Sequence, residues 1–202
     1  MEQSGGGNQK NIFFQKGLAS LKKENYAYAY ELFQEVLKDN PDFSECRHYL
    51  WLSARENRSH NSSAINKLLN SVRAVFLNLQ SSLLLLRGKT AQAISAAEQI
   101  ILLIPDNIPA YQKLATLFMR QDDLKNAVTA LEEILFIDKN NFSALKSLAG
   151  LYFRMKDYKK AQTTARILLK INPQVLEAEN ILKDIDALGA IDKGFDELKP
   201  AE

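Results

Sequence analysis

Hydrophobic residues recur along most of the chain at the i, i+3, i+4 and i+7 positions that form one face of an α-helix. The clearest consecutive stretches contain Leu114, Leu117 and Phe118, and then Leu124, Ala127, Leu131 and Leu135. Short polar turns, such as residues 121–123 and 155–157, separate stretches of this kind. Only eight glycines and five prolines occur, which leaves few turns for a β-sheet fold. The pattern therefore predicts an all-α fold built from paired helices.

The helix pairs repeat along the sequence. Ala127 and Ala161 are 34 residues apart, and many other positions agree at the same shift. These small residues allow the two helices of a pair to approach closely where they cross. Pro41, Pro105 and Pro173 stand after the second helix of their units and end it, because proline disfavours helical backbone at the residue before it.

This register resembles the tetratricopeptide repeat (TPR) family, whose repeat is a 34-residue pair of antiparallel helices. The resemblance implies a right-handed superhelical solenoid with a C-terminal capping helix, forming one domain over residues 9–188. The expected segments are units at 8–41, 72–105, 106–139 and 140–173, a degenerate unit at 42–71, a capping helix at 174–188 that ends at Gly189, a flexible lead at 1–8 and a tail at 189–202.

The interval between the first two regular units breaks the pattern. A polar insert at residues 56–63 is followed by apolar residues at helical spacing through residues 63–86, and neither Gly nor Pro follows the insert before Gly88. We expect either one long helix over 63–86 or a helix pair with a break near Asn70–Ser71.

Residues 63–86 are apolar on nearly every side of the expected helix, so another surface must bury them. Burial by neighbouring units of the same chain is the favoured explanation. The alternative is a self-assembling structural module, in which the helix forms a homodimer through Val72, Phe76, Leu79 and Leu83. A membrane-surface role is disfavoured because the helix lacks a polar face rich in Lys and Arg. A membrane span is not expected, since the most hydrophobic segments, 83–86 and 100–104, are far shorter than the roughly 20 residues that a spanning helix needs.

Composition narrows the functional classes. The 26 basic and 24 acidic residues give a net charge of +2, which does not favour a nucleic-acid partner. One cysteine excludes an internal disulfide and fits a reducing compartment. The first residues lack the features of a signal peptide. We expect a soluble, cytoplasmic protein.

No group of residues has the spacing of a catalytic or metal-binding site. Cys46 falls at an apolar position and is interpreted as a buried structural thiol, with His48 pointing away from it. His60 lies in the polar insert without nearby ligands. The acidic pairs Asp122–Asp123 and Glu132–Glu133 are interpreted as solvated helix surface. We therefore expect no enzymatic activity, no metal and no cofactor.

In the TPR family, the concave face is built mainly by the first helix of each pair and holds an extended peptide or a helix of a partner protein. The resemblance places the following residues on that face: Asn78, Ser82, Leu85, Gln112, Thr116, Met119, Arg120, Lys146, Gly150, Phe153 and Arg154, with His48, Leu52 and Arg55 at the earlier end. Their mixture of apolar and basic side chains suits an acidic-hydrophobic segment. The chain is thus expected to be a non-enzymatic scaffold or adaptor.

Structural roles explain some of these residues as well. Arg120 and Arg154 lie near helix C-termini, where a cation interacts favourably with the helix dipole without any ligand. Met119 is also suited to packing against a neighbouring unit, and so is Phe153. Thr116 occupies a position at which chaperone-binding relatives carry asparagine, as does Gly150, so binding of chaperone tails is not expected.

Overall fold

The computed structural model describes residues 5–59 and 64–197, and within these ranges it contains ten α-helices and no strand. The helices are α1 (Gly5–Lys22), α2 (Tyr26–Asp39), α3 (Ser44–Ser59), α4 (Ala64–Leu86), α5 (Thr90–Leu103), α6 (Ile108–Arg120), α7 (Leu124–Ile137), α8 (Phe142–Arg154), α9 (Tyr158–Ile171) and α10 (Leu176–Glu197). The predicted all-α fold of paired helices is confirmed.

The same tight turn follows α1, α4, α6 and α8. In each turn one residue has positive φ, at 58° for Glu24, 72° for Gly88, 60° for Asp122 and 62° for Lys156. The next residue donates its backbone N–H to the carbonyl five positions earlier, as Asp157 does to Tyr152 at 2.9 Å. This arrangement satisfies carbonyls at the helix end that have no partner within the helix.

Side chains of Asn or Asp begin several of the helices. The Oδ1 atom of Asn107 accepts a hydrogen bond from the backbone N–H of Ala110 at 2.9 Å, and Asn141 and Asp157 cap α8 and α9 in the same way. Such caps satisfy backbone donors that lack a partner in the first turn of a helix. Polar residues between the apolar stretches therefore fix where each helix starts.

The described residues divide into two compact units, one up to Glu133 and one from Ile134, with the division inside α7. In the first unit α1 packs on α2, α2 on α3, α3 on α5, α4 on α5, and α5 on α6. Its core includes the fully buried rings of Phe33, Trp51 and Tyr111, and the rings of Trp51 and Tyr111 meet edge to face at 5.2 Å.

In the second unit, α8 packs on α9, and α10 packs on both. The core is formed by Leu145, Ala165, Leu168, Val175 and Ala178. The partly buried side chains around it are Leu135, Leu169, Ile181 and Leu182. The predicted helix over the last pair is thus present.

Three boundaries differ from the sequence predictions. The helix α10 continues through Gly189 to Glu197, so the predicted end at Gly189 is wrong, because a helical glycine costs only about 1 kcal/mol and no proline follows it before Pro200. Residues 5–8 of the predicted flexible lead already belong to α1. Residues 56–59 of the polar insert extend α3, whereas residues 60–63, with His60, lie outside the described residues.

For residues 63–86 the sequence left open one long helix or a helix pair, and the structure contains one long helix. The helix α4 runs from Ala64 to Leu86 without a break at Asn70–Ser71. Neither of these residues stops a helix as proline would, and the apolar spacing continues across them.

Candidate functional site

The lysine Lys113 of α6 connects two of the predicted groove residues in the first unit. Its Nζ atom lies 2.6 Å from Oδ1 of Asn78, 2.9 Å from the Asn78 carbonyl oxygen and 2.8 Å from Oγ of Ser82. Partial burial lowers the pKa of Lys113 below its usual value. Sequence reasoning named Asn78 and Ser82 but missed Lys113. The available signal was the pair of polar residues, four apart and therefore on one side of α4.

The remaining predicted groove residues of the first unit lie on one side of α6 and at the end of α4. Arg120 is exposed and forms no ion pair within the described residues. Thr116 is also exposed, and its hydroxyl donates to the carbonyl of Gln112 in the same helix at 2.9 Å. Met119 and Leu85 are half-buried, as is Gln112. The first unit therefore presents cationic, polar and apolar groups close together on α6.

In the second unit, the predicted groove cation Lys146 has a partner. Its Nζ atom lies 2.6 Å from Oε1 of Glu177 on α10, and this contact lowers the pKa of Glu177. The ring of Phe153 is half-buried and lies 5.7 Å from the ring of Tyr158. Arg154 is exposed, and the space around Gly150 is open. Lys146 thus links α8 to the last helix.

The earlier residues His48 and Arg55 both contact Glu133. Nδ1 of His48 lies 2.6 Å from Oε1 of Glu133, and Nη2 of Arg55 donates to Oε2 at 2.6 Å. The side chain of Glu133 is only 3% exposed, so its assignment to solvated surface is wrong, although Glu132 is exposed. Burial raises the pKa of Glu133, but the hydrogen bonds from His48 and Arg55 outweigh it and the net pKa is lowered. Leu52, which lies between His48 and Arg55 along α3, is half-buried.

Cys46 and Arg47 on α3 have structural contacts. The Cys46 thiol is fully buried, donates to the Phe33 carbonyl oxygen at 3.5 Å, and has its pKa raised to about 12 by burial. The Arg47 guanidinium contacts the Glu98 carboxylate and donates from Nε to Oδ1 of Asn126 at 3.0 Å. Burial lowers the pKa of Arg47 to about 10. The interpretation of Cys46 as a buried structural thiol is confirmed, whereas the sequence analysis did not predict the burial of Arg47.

One side of α4 carries a continuous apolar surface, which we call the α4 stripe. It consists of eight large side chains that are each about half or more exposed: Leu68, Leu69, Val72, Val75, Phe76, Leu79, Leu83 and Leu86. The opposite side of the helix is buried through Ala74 and Ser81. The favoured expectation, that the rest of the chain buries this helix on all sides, is therefore wrong. By length and composition alone, Leu68–Leu86 is able to cross a membrane.

A comparison with protein-family models matches residues 84–150 to the tetratricopeptide repeat. This segment is a tetratricopeptide repeat array. The resemblance drawn from the sequence is thereby confirmed there. Outside this segment, the turns at Glu24 and Lys156 have the same left-handed residue as those within it. A search of the curated proteins finds no match.

Solved TPR structures share the fold. The first TPR of Spaghetti (RPAP3), bound to an HSP90 peptide SRMEEVD, is 19% identical and covers 59% of this chain and 95% of its own, with a TM-score of 0.52. The second TPR domain of human RPAP3, in complex with an HSP70 peptide SGPTIEEVD, is 14% identical, covers 58% and 98%, and has a TM-score of 0.51. A tetratricopeptide repeat protein from Parabacteroides merdae is 15% identical, covers 89% and 61%, and also has a TM-score of 0.51.

The α4 stripe lies where the spacing of the repeated turns is irregular. In a regular array each helix pair packs on the preceding pair, which covers its outer apolar residues. Here the turns at Glu24 and Gly88 are 64 residues apart and three helices, α2, α3 and α4, lie between them, whereas the turns at Gly88 and Asp122 are 34 residues apart. The exposed helix α4 thus ends the irregular interval.

Proposed function

We propose that the protein is a non-enzymatic scaffold that binds a peptide or an extended segment of a partner protein on the first helices of its TPR units. The proposal is supported by the repeat fold, which the two RPAP3 domains share and which in those structures is bound to short peptides. Extended peptides suit such arrays because stacked helices form a long surface with regularly spaced side chains.

The observation that carries the proposal to particular residues is the composition of the α6 surface. Lys113, Thr116 and Arg120 lie at i, i+3 and i+7 and so share one side of the helix. Lys113 is held by α4, whereas Arg120 is exposed without an ion pair among the described residues. Met119, which precedes Arg120 on α6, is half-buried and supplies an apolar group. Leu85, near the end of α4, is also half-buried. An arginine and a thioether on one helix suit a segment that alternates carboxylate and apolar side chains.

Selection from a displayed library of short random peptides, followed by affinity measurement, tests this proposal. We expect the selected peptides to be rich in acidic and apolar residues. We expect Arg120→Glu to weaken the binding of a selected peptide about tenfold or more, equivalent to about 1.4 kcal/mol. Arg166→Glu, at an exposed position of α9, is the matched control and is expected to leave the affinity unchanged.

Failure to enrich any peptide, or equal affinities of the wild type and Arg120→Glu, would contradict the proposed surface. The melting temperature of Arg166→Glu should equal that of the wild type, because Arg166 is exposed and has no ion pair in the described part of the chain. Arg120 is the last residue of α6, so reversing its charge loses a favourable interaction with the helix dipole and should lower the melting temperature by about 2–4 °C. A much larger fall for Arg120→Glu would assign Arg120 a structural role beyond that interaction.

The two chaperone peptides of the related structures serve as a further probe. Thr116 and Gly150 stand where chaperone-binding relatives are expected to carry asparagine, so the amide that would hold a peptide backbone or terminal carboxylate is missing. We expect SRMEEVD and SGPTIEEVD to bind at least tenfold more weakly than a selected peptide, and tight binding of either would show that another residue replaces the asparagine.

A further inference from the structure

The α4 stripe is long, broad and uninterrupted by polar side chains. From Leu68 to Leu86 it extends about 27 Å at 1.5 Å per residue, and it occupies about 120° of the helix circumference. The exposed fraction reaches 84% at Leu86 and is 67% at Phe76. Exposed apolar surface of this extent marks an interaction site on a soluble protein.

The charged residues in the sequence segment that contains the stripe have one sign. Between Glu56 and Glu98 the sequence contains no Asp or Glu, while five basic residues occur there, namely Arg58, Lys67, Arg73, Arg87 and Lys89. Arg73 and Arg87 are exposed, as is Lys89, and none of the three has an ion pair within the described part of the chain. On the other side of α4, the ammonium group of Lys113 contacts Asn78 and Ser82. The apolar surface therefore lies between basic groups.

A shallow apolar groove of about 600 Å³ runs beside the stripe, between α4 and α5. Val72, Phe76 and Leu77 form one wall, and Leu102 and Leu103 the other. Arg73 and Gln99 are the polar groups at this groove. An arginine at the rim of an apolar groove suits an amphiphile, with its alkyl chain in the groove and its phosphate at the guanidinium.

We propose that α4 binds flat to the surface of an anionic lipid bilayer, with the stripe in the acyl region and Arg73, Arg87 and Lys89 at the headgroup phosphates. An isolated helix of this kind needs its own polar face toward water. In this protein the opposite face of α4 packs on α5 instead, so the body of the first unit fills that role. The missing polar face, which argued against this role in the sequence, is therefore no obstacle.

A second copy of the chain fits the stripe less well. Two α4 helices packed together would bring two sets of basic residues to one interface without a single acidic residue of the 57–97 segment to balance them. The stripe is also wider than the narrow apolar seam through which two helices form a coiled coil. An anionic bilayer both covers the full width and neutralises the charges.

Co-sedimentation with lipid vesicles tests the proposal on the full chain. Vesicles of phosphatidylcholine alone are compared with vesicles that also contain phosphatidylglycerol, at low and at physiological salt. We expect binding to the anionic vesicles, weaker binding at higher salt, and little binding to neutral vesicles. Arg73→Glu with Arg87→Glu should lower the partition coefficient roughly 30-fold or more, since each basic residue near the surface contributes about 1 kcal/mol.

A matched double variant, Lys22→Glu with Lys23→Glu, changes the net charge by the same amount at exposed positions of α1 and the following turn. It should keep most of the binding, which separates a local effect from one of overall charge. Leu79→Ser with Val75→Ser should abolish binding to anionic vesicles without loss of helix content, because both side chains are exposed.

Three results would overturn the proposal: no binding to anionic vesicles, equal loss in both charge variants, or binding that survives the two serine substitutions. A stable dimer in light scattering, dissociated by Leu79→Ser with Val75→Ser, would assign the stripe to a second copy instead. Peptide binding at Arg120 involves α6 and is measured separately, so either proposal is able to fail while the other stands.

Discussion

Nδ1 of His48 on α3 lies 2.6 Å from Oε1 of Glu133 on α7, although 85 positions separate the two residues in the chain. Arg55, two turns further along α3, donates to the second carboxylate oxygen. The hydrogen bond to Glu133 raises the pKa of His48, against the smaller opposing effect of its burial. One buried carboxylate thus ties α3 to the part of α7 that belongs to the first unit.

This contact predicts a pH dependence of stability. The raised pKa of His48 means that protonation stabilises the fold fully below the usual value of 6.5, and that this contribution is lost as pH rises through the raised value. The lowered pKa of Glu133 means that its contribution is present above 4.5 and is lost as pH falls through the lowered value. We expect the contact to stabilise most between pH 4.5 and 6.5.

The variant His48→Gln isolates the histidine charge, because glutamine keeps a hydrogen-bond donor. We expect it to lower the free energy of unfolding by about 1 kcal/mol or less in that window, since His48 is half exposed. The difference from the wild type should shrink as the pH rises above 6.5. Urea titrations across pH measure it, and a difference that stays constant with pH would contradict the assignment.

The buried arginine Arg47 gives a second prediction. Its guanidinium contacts Glu98, Asn126, the Pro41 carbonyl oxygen and, at 4.9 Å, the ring of Phe118. Removal of one partner from a buried ion pair leaves the other without compensation and costs about 3–5 kcal/mol. We expect Arg47→Ala to lower the free energy of unfolding by that amount, as measured by urea titration.

The exposed pair Lys38–Glu35 provides the comparison for Arg47. Its Nζ–Oε2 distance is 2.6 Å, but its side chains are 64% and 52% exposed. Exposed pairs contribute about 0–1 kcal/mol, so Lys38→Ala should be nearly neutral. If the two alanine variants lost similar stability, the role of burial at Arg47 would be refuted.

The sequence predicted the helix pairs because apolar spacing and small crossing residues are local signals. It did not predict the burial of Arg47 or Glu133, because a charged residue, alone or beside another as Glu133 is beside Glu132, is expected on the solvated side of its helix. Only the packing of α3 on elements far away in the chain removes them from water. The same applies to α4: apolar spacing predicts a helix, but whether another surface covers it depends on tertiary packing, which the local pattern does not encode.

Close packing between α1 and α2 leads to a third prediction. A Cβ atom added at Gly17 would lie 2.5 Å from Cε1 of Phe33, whose ring is fully buried. The Phe33 ring packs against the rings of Phe14 and Tyr49, each with its centroid 5.8 Å away, so it cannot yield without disturbing them. We expect Gly17→Ala to lower the free energy of unfolding by about 1–3 kcal/mol. Gly150→Ala is the control, because nothing lies within 4 Å of its added Cβ. It should raise stability by about 0.5–1 kcal/mol through helix propensity, and a loss there as large as at Gly17 would contradict the steric explanation.

The left-handed turn that follows α8 leads to a prediction of increased stability. Lys156 has φ of 62°, a backbone conformation that costs a residue with a Cβ atom about 1–2 kcal/mol. Gly88 occupies the equivalent turn after α4 with φ of 72°. Replacing Lys156 by glycine removes the strain but adds conformational freedom to the unfolded chain, which offsets part of the gain.

We therefore expect Lys156→Gly to raise the free energy of unfolding by about 0.5–1 kcal/mol. In the middle of α9, where φ is negative, Arg166→Gly should lower it by about 1 kcal/mol, because there glycine brings only its entropic cost. Urea titration of both variants measures the two changes in the free energy of unfolding. If Lys156→Gly were as destabilising as Arg166→Gly, the left-handed turn after α8 would not be the conformation of the folded protein.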